Sequence, residues 1–214
     1  MPLPFAALCS SPLAPAPLGR WRQGARLAGL LVLGLLGALS ATGLRADEAG
    51  WAALSRPGAI VLIRHAYAPG FGDPPGMRLD DCATQRNLND QGRAQARRLG
   101  ERLRQRGIRV DAVLNSPWCR TRDTAQLLMM GPTPRDEPAF GSFFAGQGDP
   151  ARQTAAAREI LRQWRGPGAL VVVTHQVNVQ GLTGVSPSTA ESLVVRVPAG
   201  NGPLQVLGRI DPPD

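Results

Sequence analysis

The stretch Ile60-Val61-Leu62-Ile63, followed at once by Arg64-His65, ends in one of the two histidines of the 214-residue chain. The other histidine, His175, comes with Thr174 directly after a second apolar run, Leu170-Val171-Val172-Val173. Branched apolar runs bounded by Gly or Pro are typical of strands that are buried on both faces of a parallel sheet. Ligands of open α/β sheets bind beyond the carboxyl ends of the strands. We therefore expect both histidines and Arg64 to meet at one site.

The remaining pattern alternates between strand and helix. Strands are predicted over residues 58–63, 110–115, 169–174, 192–197 and 204–210, and helices over 91–106, 117–130, 151–164 and 177–182. This alternation predicts a three-layer α/β/α domain with a mostly parallel central sheet, and the last two strands are expected to form a hairpin. Asn89 or Asp90 is placed to cap the first predicted helix. The connection 66–89 (the 66–89 loop) is long for a compact domain, which favours a functional role.

Residues 1–46 are not expected to belong to the folded domain. Arg20, Arg22 and Arg26 precede the apolar stretch Leu27–Leu39, and small residues follow it. This order is typical of a secretory signal peptide, and the apolar core is shorter than the roughly 20 residues of a membrane span. An uncleaved N-terminal anchor is the alternative. The chain is thus divided into a signal peptide (1–46) and one domain (47–214), with no stable membrane span and a periplasmic location expected.

The formal net charge of +8 overstates how basic the domain is. The chain has 24 arginines and no lysine, but four of the arginines lie in residues 1–46, which contain no acid. The remainder carries 20 arginines against 16 acids, a balance of +4. Since no aromatic-rich basic patch or recognition helix stands out, no nucleic-acid partner is expected.

Two cysteines, Cys82 and Cys119, remain in the mature chain, because Cys9 lies in the leader. A pair of cysteines in an oxidising compartment is compatible with a disulfide. Two unpaired thiols fit the sequence equally well, because it does not give their separation in space.

His65 and the segment Ser116–Ala125 carry the chemistry suggested by the sequence. A neutral imidazole nitrogen is a nucleophile toward phosphorus and gives a covalent intermediate, and the planar fork of Arg64 suits a phosphate group. Alternatively, His65 only satisfies a carbonyl group at a strand end. In the second segment a helix begins near Arg120, and helix N-termini favour anions. Arg122 faces another direction and is predicted to be a surface or salt-bridge residue.

Four motifs in this order resemble those of the histidine phosphatase superfamily, which has the phosphoglycerate-mutase-like fold. They are Arg64-His65-Ala66, Leu88–Ala96, Ser116–Ala125 and Thr174-His175. The resemblance extends over most of residues 58–210. It implies that His65 is the phosphorylated nucleophile, that Arg64, Arg120 and His175 complete the phosphate pocket, and that neither a metal ion nor another cofactor is needed.

The resemblance leaves the proton donor in doubt. Relatives carry a Glu after the second helix, and the aligned segment Phe140–Gly146 has Ser142 at that position. Acid-phosphatase-like relatives have an Asp after the second histidine, where this chain has Gln176. Glu191, which opens the penultimate strand, is the preferred remaining carboxylate. Weaker candidates are Glu137 and Asp73.

The 66–89 loop departs from the family as well. Phe71 replaces an Asn that many relatives carry, and we interpret residues 67–86 as a substrate-selecting lid, with an ordinary solvated loop as the alternative. A bridge between Cys82 and Cys119 would pin this loop to the phosphate site. The segments 81–88 and 175–178 are similar to an exported bacterial branch, some members of which are associated with phosphate on lipopolysaccharide core sugars.

These observations predict a periplasmic, metal-independent phosphatase that hydrolyses a phosphomonoester through phospho-His65. The expected substrate is a phosphorylated small molecule or phosphosugar, with the lipopolysaccharide core as one source. The alternative is a non-catalytic phosphate- or phosphosugar-binding protein that keeps the pocket and lacks the proton donor. Phosphoglycerate mutase itself is disfavoured by the export signal and by the missing Glu.

Overall fold

A computed structural model describes residues 47–200 and 202–213. The signal peptide or anchor predicted over residues 1–46 lies outside the described residues. Within the described part of the chain, no helix combines the length and the apolar character that a membrane crossing requires.

The central layer is a six-stranded sheet in the order β3-β2-β4-β1-β5-β6. Its strands are β1 (Ile60–Arg64), β2 (Val110–Asn115), β3 (Arg135–Asp136), β4 (Ala169–Thr174), β5 (Ser192–Arg196) and β6 (Gln205–Ile210). The four strands from β3 to β1 are parallel to one another, whereas β5 pairs antiparallel with both β1 and β6. The predicted mostly parallel sheet is therefore confirmed.

Helices cover both faces of the sheet, which confirms the three-layer prediction. They are α1 (47–54), α2 (Asp90–Gln105), α3 (Cys119–Leu127), α4 (Pro150–Arg162) and α5 (Gln176–Thr183). Alternate side chains of β1 point to opposite faces. Val61 and Ile63 join the apolar cluster beneath α1, α2 and α3, while Ile60 and Leu62 join the cluster beneath α4 and α5. This double burial explains why β1 and β4 are apolar without interruption.

Helix α1 and strand β3 were not predicted from the sequence pattern. Helix α1 is only two turns long, and it is held by tertiary contacts: Trp51 and Leu54 are buried in the core, and the Trp51 indole donates to Asp47 Oδ2 at 2.9 Å. Strand β3 has two residues, both exposed. Neither segment is long enough for a periodic apolar pattern to show.

Helix α2 packs closely against the chain that follows His65. Asn89 caps the helix by accepting a hydrogen bond from the Gly92 amide at 2.9 Å. A Cβ atom at Gly92 would overlap the carbonyl oxygen of Tyr67, so only glycine allows this approach. Gln95, one turn further on, accepts a hydrogen bond from the Tyr67 amide at 3.0 Å. The Leu88–Ala96 motif thus positions the backbone that follows His65.

Candidate active site

The carboxyl ends of β1, β2 and β4 surround a cavity of about 160 Å³. Strands β1 and β4 are neighbours in parallel register, with Arg64 opposite Thr174, so His65 and His175 leave the sheet side by side. The His65 amide donates to the Thr174 carbonyl at 2.9 Å, and the two imidazole centroids are 5.5 Å apart. Arg64 and Arg120 line the same cavity. The structure therefore brings all four of these sequence-predicted residues together.

His65 is held in one tautomer. Its Nδ1 lies 2.7 Å from the carbonyl oxygen of Ala66; since a carbonyl only accepts, Nδ1 carries the proton and Nε2 keeps a free lone pair. Burial holds the pKa of His65 well below its ordinary value, and the positive charge of Arg120 lowers it further, outweighing the hydrogen bond to Ala66. The imidazole is therefore neutral at physiological pH, with Nε2 available as a nucleophile.

His175 is held by its two ring nitrogens. Nε2 lies 2.8 Å from Ser116 Oγ, and Nδ1 lies 3.4 Å from Arg120 Nη2. Because a guanidinium only donates, Nδ1 accepts and Nε2–H donates to the serine. Burial holds the pKa of His175 well below its ordinary value, and the charge of Arg120 lowers it further. His175 is thus a neutral hydrogen-bonding partner of Ser116 and Arg120.

Arg64 and Arg120 each keep an unsatisfied donor. Arg64 Nη1 donates to the Pro187 carbonyl at 2.9 Å, which fixes the guanidinium beside the cavity. Among the described residues, the buried Nε atoms of Arg64 and Arg120 have no hydrogen-bond acceptor. Unpaired buried donors are costly, so their presence favours a ligand rich in acceptors, as a phosphate is.

Arg120 forms a buried ion pair with Asp73 of the 66–89 loop. The carboxylate accepts from Arg120 Nη1 at 2.7 Å and from Nη2 at 3.1 Å. Asp73 also accepts from the Trp118 indole at 3.1 Å and from the Arg86 amide at 3.3 Å. Only 3% of the Arg120 side chain and 2% of the Asp73 side chain are exposed. The Arg120 guanidinium, to which the resemblance assigns phosphate binding, is therefore paired with a carboxylate.

Arg86 is a third arginine of the cavity, and sequence analysis missed it. Its Nε donates to the Gly72 carbonyl at 2.7 Å and its Nη1 donates to the Ala68 carbonyl at 2.6 Å. Burial lowers the pKa of Arg86, and the charge of Arg120 lowers it further, which shows how closely the cations are grouped. The loop has no periodic pattern from which this inward position could be predicted.

The structure does not support Glu191 as the proton donor, which corrects the sequence-based preference. Glu191 is buried but is not among the residues that line the cavity. One of its carboxylate oxygens accepts from Arg209 Nε at 2.6 Å and the other from the Ser188 amide at 2.7 Å. Glu137 is likewise engaged elsewhere, since it caps the short 3-10 helix Pro138–Phe140. Of the carboxylates considered, only Asp73 lies in the cavity.

Ser142 lies in the cavity at the position where relatives carry the Glu. Its side chain is buried, and its Oγ accepts a hydrogen bond from the Phe144 amide at 3.2 Å. A hydroxyl in this setting is not acidic near neutral pH, so Ser142 leaves the donor position unfilled.

Cys82 and Cys119 form a disulfide with a Cα–Cα distance of 5.8 Å. It joins the 66–89 loop to the first residue of α3, directly before Arg120. Gln85 reinforces this junction, because its Oε1 accepts from the Cys119 amide at 3.0 Å. The loop that supplies Asp73 and Arg86 is therefore tied covalently to the helix that supplies Arg120.

Aromatic side chains form the outer part of the cavity. Phe71 is 87% exposed, and its ring packs edge-to-face against Phe144 with 4.9 Å between centroids. Tyr67 lines the cavity with them. Arg122, by contrast, lies outside the cavity and pairs with Asp136, as predicted. In residues 47–200 and 202–213 no three His, Cys, Asp or Glu side chains are grouped as metal ligands.

The depressed pKa values of both buried histidines predict that acid destabilises the fold. Above about pH 6.5, the value for an unfolded histidine, both states are neutral and the full stability is present. As the pH falls below that value the unfolded chain binds more protons than the folded one, so the free energy of unfolding decreases by up to about 1.4 kcal/mol per pH unit for each histidine. Urea unfolding between pH 7.5 and 5 measures this slope. A His175→Gln variant should show about half of it, and an unchanged slope would contradict the assignment.

Comparisons with known proteins agree with this geometry. The family model described as the histidine phosphatase superfamily (branch 1) matches residues 60–146, which include the first three of the four motifs. The mitochondrial serine/threonine-protein phosphatase Pgam5 of Drosophila virilis is 39% identical over 70 residues, covering 33% of this chain and 22% of that protein. The chain thus matches about a fifth of the length of that relative.

Two solved structures have the same fold. The protein histidine phosphatase SixA complexed with tungstate superposes with a TM-score of 0.52 at 17% identity, covering 72% of this chain and 97% of that one. The putative phosphohistidine phosphatase SixA from Agrobacterium tumefaciens gives 0.51 at 19% identity, covering 73% and 99%. At such identities the likeness shows the fold alone. The family match over residues 60–146 and the four motifs in the family's order make the chain similar to the histidine phosphatase superfamily.

Proposed function

We propose that this protein is a periplasmic phosphatase that hydrolyses a phosphomonoester through a phosphohistidine on His65, without a metal ion. The observation that carries the proposal is the state of His65: it is buried, neutral and fixed by Ala66, with Nε2 free in a cavity lined by three arginines. That is the form in which an imidazole attacks phosphorus.

The positions of the three arginines match the charge requirement of phosphoryl transfer. The reaction requires the attacking and leaving groups in line and positive charge around the equatorial oxygens, with little other chemistry from the protein. Arg64, Arg86 and Arg120 supply that charge from three separate segments of the chain. Nε2 of His65 attacks the phosphorus atom, the ester bond breaks, and water then hydrolyses the phosphohistidine. The side chains themselves thus account for a cationic shell without a metal ion.

The outer aromatic side chains suggest the kind of leaving group. Phe71, Phe144 and Tyr67 offer apolar ring faces next to the phosphate site. The apolar face of a sugar ring packs well on such side chains while its hydroxyl groups remain hydrated. This supports a phosphosugar as the substrate, and lipopolysaccharide core sugars are a source in the periplasm.

Two observations support export. Residues 1–46 have the order of a secretory signal peptide, and Cys82 and Cys119 are bonded, as is usual in oxidising compartments and rare in the cytosol.

The alternative is a binding protein that keeps the pocket without turnover. Ser142 at the donor position and the engagement of Glu191 with Arg209 favour it. Against it, binding alone would not need an imidazole with a fixed tautomer and a free Nε2.

A trapping experiment separates the two functions. The purified, oxidised protein is incubated with p-nitrophenyl phosphate and excess EDTA, quenched in base and digested. We expect release of p-nitrophenolate and a phosphate on the peptide containing His65 that survives alkali and is lost in acid, as phosphohistidine is and phosphoserine is not. No turnover and no label, with inorganic phosphate still bound in calorimetry, would favour the binding protein.

A further inference from the structure

We propose that Asp73 is the general acid and base of the hydrolytic cycle, and that an arriving phosphate group displaces it from Arg120. This inference rests on the proposed function. It supplies the proton donor, because Ser142 stands where relatives carry the Glu that has this role.

Asp73 is the only carboxylate among the described residues that line the cavity. It shares that cavity with His65 and Ser142, the latter at the usual donor position. Only 2% of its side chain is exposed to solvent. Position alone therefore singles out Asp73 from the other acids in residues 47–200 and 202–213.

The contact with Arg120 explains how substrate and Asp73 are coupled. Both terminal nitrogens of the guanidinium are engaged by the two carboxylate oxygens. A phosphate group bound by the unpaired Nε of Arg120 also needs Nη2 for a bidentate contact, and Nη2 already donates to Asp73 and lies 3.4 Å from His175 Nδ1. Substrate and Asp73 thus compete for one cation, and binding of the first frees the second.

Releasing Asp73 also changes its protonation. Burial raises the pKa of Asp73, but the hydrogen bond and charge of Arg120, together with the Arg86 amide and the Trp118 indole, outweigh burial and lower the pKa. Once the phosphate takes Arg120, burial remains and a dianion lies nearby; both favour the protonated carboxyl. The other charged or titratable groups that line this cavity are Arg64, Arg86, His65, His175 and Tyr67.

The cycle balances with one shuttled proton. A phosphomonoester loses its last proton near pH 6, so the monoanion supplies the proton that Asp73 takes up on binding. His65 Nε2 then forms the P–N bond while the P–O bond of the ester breaks, and Asp73 gives its proton to the departing oxygen. In the second half water forms a new P–O bond, the electron pair of the P–N bond returns to Nε2, and Asp73 accepts a proton from the water. Asp73 passes this proton to the departing phosphate as it pairs with Arg120 again, so the ester monoanion and water become the alcohol and dihydrogen phosphate.

Two substrates of similar size test this role in an Asp73→Asn variant. p-Nitrophenolate leaves as a stable anion and needs no proton, whereas the alkoxide of benzyl phosphate must be protonated. We expect kcat/KM, which reports the first half-reaction up to departure of the leaving group, to fall about 10²- to 10⁴-fold for benzyl phosphate and less than about threefold for p-nitrophenyl phosphate. Inorganic phosphate should inhibit the variant at least as strongly as the wild type, since its competitor is gone. Asp80→Asn is the matched control, because Asp80 lies in the same loop with 87% of its side chain exposed.

The outcomes separate the possible roles. Equal losses of kcat/KM on both substrates with weaker phosphate inhibition would make Asp73 a positioning residue for Arg120 and overturn the inference. Unchanged rates on both would also overturn it. A wild type that hydrolyses neither ester and labels no histidine would overturn the proposed function itself, which is a different result from either of these.

Discussion

Replacing His65 with asparagine abolishes the phosphoenzyme and lowers kcat for p-nitrophenyl phosphate by about 10⁴-fold or more. The expected loss is this large because Nε2 of His65 is the attacking atom, and an amide nitrogen has no free lone pair to replace it. Steady-state assays in EDTA with single-turnover labelling measure both quantities.

The affinity for inorganic phosphate provides the control for the His65→Asn variant. Arg64, Arg86 and Arg120 are unchanged, so calorimetry should give a dissociation constant within several-fold of that of the wild type. Turnover above about one per cent of the wild-type rate, or a label on another residue, would contradict the assignment of His65 as nucleophile.

Replacing Arg120 with methionine lowers the free energy of unfolding by about 3–5 kcal/mol, because it leaves the Asp73 carboxylate buried without its cation. The variant also loses the guanidinium that phosphate needs. Urea unfolding at pH 7, together with phosphate binding, measures the two effects. Arg122→Met is the matched control in the same helix: its pair with Asp136 is partly exposed, with side chains 35% and 40% accessible, and should contribute no more than about 1 kcal/mol.

A double variant distinguishes loss of the pair from loss of packing. Arg120→Met combined with Asp73→Leu removes both charges, so most of the stability should return while phosphate binding stays weak. A double variant no more stable than Arg120→Met alone would show that the guanidinium supports the fold by means other than its pairing with Asp73.

The parts of the site that lie on regular elements could be predicted from sequence. His65 and His175 follow uninterrupted apolar strands, and parallel pairing of those strands places the two rings together. Arg120 follows a strand and lies in the first turn of a helix, so its position was also predictable. In each case local pattern and sheet topology determine the direction of the side chain.

The parts that could not be predicted depend on tertiary contacts. Asp73 and Arg86 lie in a loop without periodicity, and they turn inward because of Arg120, the Trp118 indole and backbone carbonyls that only the folded chain brings near. Glu191 illustrates the converse. Its backbone is at the edge of the site, where its carbonyl accepts from the Arg64 amide at 3.2 Å, but its side chain turns to Arg209 on β6.

The presence of both histidines in one cavity makes this protein suited to proton magnetic resonance. The whole chain contains two imidazole rings, and both lie against the phosphate site at 2% and 3% exposure. Their ring-proton resonances are therefore reporters of the reaction centre alone, with no background from other histidines. Attachment of phosphorus to Nε2 would shift one resonance strongly and the other weakly, so formation and decay of the intermediate could be timed on two peaks in unlabelled protein.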